Sequence, residues 1–202
     1  MQVLLKVANQ YQLAECDFAT GADIDALTQW ARQLRSPRDP RSADALEFAA
    51  LARKRWRSYV RLNRTVQTVA ELKKRIAADP TGEIAMFATI PIPAKSKSGL
   101  LGFCLFRRTW RNHLIVDLLA VNPSEAGKTS RVGVSLLYFI TSIGESIGAP
   151  FVWGEATEHS AGFYEKAFGV PVDDLFRIDA AVYRRSAARY LARWRESGLP
   201  RR

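Results

Sequence analysis

Two cysteines and two histidines among 202 residues are too few for a disulfide framework, and no His and Cys spacing resembles a metal site. Cys16 and Cys104 fall in separate apolar segments and read as buried thiols of a reducing compartment. No apolar run approaches the roughly 18 residues that span a bilayer. Met1-Gln-Val-Leu-Leu-Lys-Val7 is too short for a secretory leader and has no small-residue cleavage site, so it reads as a strand. The expectation is a cytoplasmic chain with no membrane partner and no metal. No serine lies in a nucleophile elbow. Gly127-Lys128-Thr129 is not a Walker loop, because the glycine needed five positions earlier is Asn122. Acidic residues are also in deficit, 20 against 30 Lys and Arg, which leaves a net charge of +10. That balance draws the chain toward phosphates, and by itself it separates neither a small ligand from nucleic acid nor the reverse.

What is present is an ordinary globular composition, 48% hydrophobic and 25% charged, long enough to bury a sizeable core. The simplest organisation is one domain over 1–202. It comprises a helical elaboration over about 21–79, a core over about 83–180 and a basic C-terminal helix over about 183–197. There is no internal repeat.

The central stretch runs from His113 to Val170. His113 to Val121 is a continuous apolar, branched run that suits a strand covered on both faces. Asn122-Pro123 ends it. Val132, Leu136, Ile140, Ile143 and Ile147 then follow the helical period up to Gly148-Ala-Pro150, and Phe151 to Thr157 is a second strand. This is a βαβ unit with parallel strands and a right-handed crossover.

Upstream, Val3 to Val7 and Gln12 to Phe18 read as strands joined at Ala8-Asn-Gln10, where a hairpin fits. Thr20 caps a helix at Asp23, with Ile24, Leu27, Ala31 and Leu34 as its buried stripe, ending at the Ser36 to Pro40 linker. A second helix from about Ser42 to Leu62 buries Phe48, Leu51, Ala52, Tyr59 and Leu62. Arg53, Arg57, Arg61 and Arg64 line its opposite side, either as a solvated face or as a nucleic-acid contact. Thr68-x-x-Glu71 opens a third helix through Ala78. Glu83 to Ile90 and Leu100 to Arg107 are strands flanking the proline-containing loop Pro91 to Gly99. Leu175 to Tyr183 is a last strand. Tyr183, Ala187, Tyr190, Leu191 and Trp194 form one face of the closing helix.

His159-Ser-Ala-Gly-Phe-Tyr-Glu-Lys-Ala-Phe-Gly-Val170 resembles the "A-x-x-F-Y-x-K-x-G-F" signature of GCN5-related N-acetyltransferases (GNAT). Asp117 to Val121 with Asn122-Pro123 resembles that family's fourth strand, and Phe18 to Leu27 its usual opening. The resemblance implies a mixed-sheet α/β fold of the acyl-CoA N-acyltransferase type, with the long helical segment between its first two strands shaping an acceptor site. It implies acetyl-CoA, or another acyl-CoA, as co-substrate, and direct acetyl transfer to a primary amine in a ternary complex. Lys128-Thr-Ser-Arg-Val-Gly133 aligns with the pyrophosphate loop. Lys128 stands for the usual Gln or Arg and Arg131 for the first glycine, while Gly133 keeps the second; Val132 lies between them.

The same resemblance assigns Leu119 and Val121 to the pantetheine arm, beside a strand that parts from its neighbour near Val121. Tyr164 matches the family's proton donor, or it packs on the sheet as an ordinary helix tyrosine. Asp117 and Glu155 are candidates for the base that accepts the amine proton, or for orienting the amine. The acceptor is a small-molecule or protein amine, and the positive charge suits one linked to nucleic acid such as tRNA. A homodimer is left open. The competing reading is a non-enzymatic module of the same fold that contacts nucleic acid or a protein through its arginine-rich helices.

Overall fold

In the computed structural model, residues 1–33, 40–92, 99–125 and 127–200 are described. The elements run β1 Gln2–Val7, β2 Gln10–Glu15, β3 Asp17–Phe18, α1 Gly21–Ala26, α2 Thr28–Gln33, α3 Pro40–Arg61, α4 Val69–Ala78, β4 Ile84–Pro91 and β5 Leu100–Arg108. They continue with β6 Leu114–Val121, β7 Thr129–Ser130, α5 Val132–Ser146, β8 Phe151–Glu155, α6 Ala161–Phe168, β9 Leu175–Asp179 and α7 Ala180–Glu196. A six-stranded mixed sheet, β3-β4-β5-β6-β8-β9, is antiparallel except where β6 meets β8. A three-stranded sheet, β2-β1-β7, stands beside it.

The apolar run read as a doubly covered strand is β6, and β4 and β5 beside it are buried almost throughout. One face packs on α5 and α6 through Cys104, Phe106, Leu114, Val116, Leu136 and Ile140. The other packs on the first three helices through Ala49, Ala52, Trp56, Phe87 and Phe103. Tilted, stacked and edge-on contacts in turn link Trp30, Phe103, Phe87 and Trp56 at centroid distances of 5.4–5.6 Å across that second face. Both cysteines are free and buried. No described helix is long and apolar enough to cross a membrane.

Several local readings change. The first helix breaks at Leu27 into α1 and α2, and Trp30 is buried beside Ile24 and Leu27; the Leu34 side chain and the 36–39 linker lie outside the described residues, as does 93–98 of the proline loop. On α3, Ala45, Ala49, Ala52 and Trp56 are buried, Phe48, Leu51 and Tyr59 pack half-buried against the same core as expected, and Leu62 alone of the expected face is exposed. Small alanines let the helix approach the sheet closely and leave the volume to one indole. At α4, Thr68 accepts from the Glu71 amide, but the Glu71 carboxylate bonds the Gln67 amide, so the reciprocal box is open. The last strand stops at Asp179, whose side chain accepts from the Val182 amide and starts α7 three residues before Tyr183.

The small sheet is tied to two helices through one buried hydroxyl. Tyr190 Oη accepts from the Leu4 amide at 2.6 Å and lies 2.9 Å from Ser135 Oγ, which itself donates to the Leu4 carbonyl at 3.0 Å. This ties β1, α5 and α7 together.

Candidate active site

The site begins with a fault in β6. Leu118 lies opposite Leu105 on β5, and Val116 opposite Phe106, so Asp117 is an inserted bulge residue. β6 and β8 pair only at Leu114–Val152, Ile115–Trp153 and Val116–Gly154. Beyond that, residues 117–121 have no ladder partner on the β8 side, so the parting begins after Val116, earlier than the neighbourhood of Val121. Gly154 permits the closeness just before it: a Cβ there would come within 2.7 Å of the Val116 carbonyl.

Above the free edge stands the start of α5. Its N-cap is Arg131 at φ 74°, ψ 2°, with no side-chain cap, and the first helical bond is Ser135 N–H to the Arg131 carbonyl. The amides of Val132, Gly133 and Val134 thus have no hydrogen-bond partner among the described residues. Gly133 is held to glycine by packing as well, since a Cβ would lie 2.9 Å from the Phe163 ring of α6 and 3.8 Å from Leu119. Leu119 and Val121 are half-buried along the unpaired edge.

Arg131 adopts the left-handed conformation that a glycine takes without cost. Its guanidinium lies 5.3 Å from the Tyr190 ring, and its Nε is buried without a hydrogen bond. Lys128 is exposed and turns back, donating to the Ser124 carbonyl at 3.1 Å and pairing with Glu125 at 3.6 Å. Its carbonyl accepts from the Ala8 amide, and Thr129–Ser130 pair with β1. Part of the loop backbone is therefore committed to the N-terminal strand. Ala126 is outside the described residues.

Tyr164, on α6, is 4% exposed and stacks on Phe176 at 4.2 Å, with no hydrogen bond among the described residues. Burial pushes its phenol well up, so it carries its proton at neutral pH. The two candidate carboxylates differ. Glu155 ends β8 in an exposed position. Asp117 is buried, and Arg107 Nε reaches both its oxygens at 3.1 and 3.0 Å.

Burial pushes the Asp117 carboxyl up from the usual carboxylate range, against the pull of Arg107 and Arg55. Burial also works against the Arg107 cation, yet Asp117 and Glu83 hold it above its ordinary value. With a fork this short, the ionised pair is the state that fits at neutral pH. The Tyr59 phenol is raised by burial and then by Asp117. Sequence reading did not pick out Arg107, Arg55 or Tyr59. An arginine at the end of an otherwise apolar strand was the available signal, and its partner depended on the register across the bulge.

The unpaired strand edge and the uncapped helix start adjoin, since a Cβ on Gly133 would lie 3.8 Å from Leu119; the Tyr164 ring packs in the core on Phe176, and Glu155 is exposed at the end of β8. No cluster of His, Cys, Asp or Glu able to hold a metal occurs among the described residues.

This mixed sheet, with a bulge in β6 and a neighbour β8 that parts from it, accords with the mixed-sheet α/β arrangement that the sequence resemblance led us to expect. No family model matches the chain, and no curated protein matches it in sequence. Among solved structures it is similar to a nourseothricin acetyltransferase (21% identity, 41% of this chain and 48% of the other, TM-score 0.35). It is also similar to a streptothricin acetyltransferase from Bacillus anthracis bound to acetyl coenzyme A (16%, 41% and 46%, 0.35). A further similarity is to a protein from Desulfovibrio desulfuricans described as a GNAT-family acetyltransferase (15%, 83% and 99%, 0.48). The chain spans about half the length of the first two of these proteins.

Proposed function

We propose that this chain is an acetyl-CoA-dependent N-acetyltransferase that moves an acetyl group to a primary amine by direct attack in a ternary complex. The observation that carries the reading is the parting of β6 from β8 after Val116 and Gly154, beneath the free amides of Val132, Gly133 and Val134. Such amides at a helix N-terminus suit a pyrophosphate, and an unpaired strand edge suits an amide-bearing pantetheine arm along Leu119 to Val121. When bound, acetyl-CoA supplies the activated acyl group as a thioester.

The residues present fit that group in part. The free amides at the start of α5 receive the phosphate end, and Lys128 and Arg131 add positive charge nearby, Lys128 paired with Glu125 and Arg131 resting against Tyr190. The edge amides of β6 orient a carbonyl and take up charge developing on its oxygen. Tyr164 Oη holds the proton needed by the leaving sulfur. Glu155, exposed at the cleft rim, takes the amine proton directly or through water. Asp117, already forked by Arg107, positions the acceptor side of the bulge. The acceptor is a small-molecule or protein amine, and a tRNA-linked amine accords with the charge of +10.

Melting with and without acetyl-CoA tests the reading. At about a hundred times Kd, binding adds about 2.7 kcal/mol, a rise of about 5–10 °C for a chain of this size. No rise at millimolar acetyl-CoA, with no acetyl transfer to any amine in a panel, defeats it.

One observation favours a second reading, a binding module without catalysis: β1 engages Lys128 to Ser130, so those positions offer less of their backbone to a phosphate. Salt-sensitive retention on nucleic acid without any acetyl-CoA shift would select it.

A further inference from the structure

A cavity of about 780 Å³ opens where β4 and β6 begin and β5 ends. Ile115 of β6, Trp153 of β8, Arg64, Arg75, Trp110 and Arg111 are among its lining residues. It adjoins the site described above, because Arg107 lines it and also forks Asp117 at the bulge.

Its charges are unevenly satisfied. Arg107 is met by Asp117 and Glu83, and Arg75 by Glu71 and the Asn63 carbonyl and side chain. The Asp79 carboxylate is turned onto the Thr81 and Gly82 amides. Arg64 and Arg111 remain, with no carboxylate partner for either guanidinium among the described residues. Arg111 instead lies 4.7 Å from the ring of Trp110, which is 64% exposed.

Both cations stand on anchored loops. Arg64 exchanges backbone bonds with Tyr59 and Ala85. The turn carrying Arg111 is pinned by Asn112, whose side-chain amide donates to the Ile147 and Gly148 carbonyls. Two unpaired guanidiniums held on separate loops exceed what one carboxylate absorbs, since a single fork satisfies both of its oxygens; a phosphate has oxygens for two. Two indoles share the lining, Trp153 and the exposed Trp110 that already carries Arg111 against its ring, and such rings suit a planar ligand.

We infer that this cavity binds a small phosphorylated molecule bearing a planar ring, its phosphate between Arg64 and Arg111 and its ring against Trp110 and Trp153. Resting on the acetyltransferase reading, this ligand is the amine acceptor, with its amine directed toward the bulge at Asp117.

The probe is AMP, titrated calorimetrically into the full chain in the presence of saturating CoA, so that any nucleotide seat at α5 is occupied. The expected result is one saturable AMP site per chain. Adenosine binds at least about tenfold more weakly, and Arg64→Ala or Arg111→Ala weakens AMP by about tenfold. Circular dichroism and the acetyl-CoA melting shift stay at wild-type values in both variants. Absence of saturable AMP binding, equal binding of adenosine, or indifference to both arginine variants overturns the inference while leaving the acetyltransferase reading intact. Tighter binding of a short single-stranded RNA through the same arginines also overturns it, in favour of a polynucleotide surface. If AMP behaves as expected but acetyl-CoA produces no melting shift, the phosphate site stands and its role as acceptor site falls.

Discussion

Three side chains carry most of the chemistry asked of this site, and each is testable alone. Tyr164 is buried and stays protonated, so its phenol carries a proton at neutral pH, while burial makes it a weaker acid than a free tyrosine. Tyr164→Phe should lower kcat by about a hundredfold with acetyl-CoA affinity unchanged; steady-state kinetics and calorimetry together check this, and an unaltered kcat removes the phenol from the mechanism. Arg131 is a non-glycine residue at φ 74°. Arg131→Gly relieves roughly 1 kcal/mol of backbone strain and forfeits a similar contact with Tyr190. Urea unfolding should therefore move by less than about 1 kcal/mol, while acetyl-CoA affinity falls about tenfold through the lost charge.

Asp117 gives a pH signature. Its folded-state carboxyl is raised above the ordinary 3.8 by burial, with Arg107 opposing. Folding thus disfavours its ionised form: the penalty is absent below the unfolded value and complete above the folded one. Relative to Asp117→Asn, the wild-type protein should gain stability as pH falls from neutrality toward 4. Parallel urea midpoints across that range would contradict the assignment.

At the level of elements, the telling joint is between β1, α5 and α7. Periodicity predicted each of them, since branched apolar residues in β1 and the 3.6-residue spacing of α5 and α7 are local signals. Their joining through the Tyr190 hydroxyl was not legible, because nothing local links Leu4 to Tyr190 across 186 positions. Tyr190→Phe leaves the Leu4 amide unsatisfied and should cost about 1–3 kcal/mol in urea unfolding. A cost near zero would mean that water replaces the hydroxyl. The boundaries show a similar division. The α1–α2 break and the early start of α7 depend on cap geometry and on where Trp30 finds room, and a stripe pattern does not encode these. On α3, Phe48, Leu51 and Tyr59 pack half-buried as expected, whereas close approach to the sheet buries the alanines more fully.

For the whole molecule, net charge and topology act on different questions. A charge of +10 should give retention on immobilised nucleic acid that is lost as salt rises, since released counterions drive such binding. Column retention at low and high ionic strength measures this. Retention that persists at high salt would point to a specific nucleic-acid site. Charge does not say where an anion sits. On the proposed readings the fold does so, through the α5 amides and the Arg64 and Arg111 guanidiniums that have no carboxylate partner among the described residues.

Most of the order of strands and helices and the βαβ unit were determined by the sequence itself, because period, branching and breakers act over a few residues; Tyr164 was marked only by the resemblance of the stretch from His159 to Val170. The depth of the parted strands, the Arg107–Asp117 fork and the cavity were decided only by tertiary structure. Each depends on which residues face one another across a bulge, and that register arises when separate segments pack, not within any one of them.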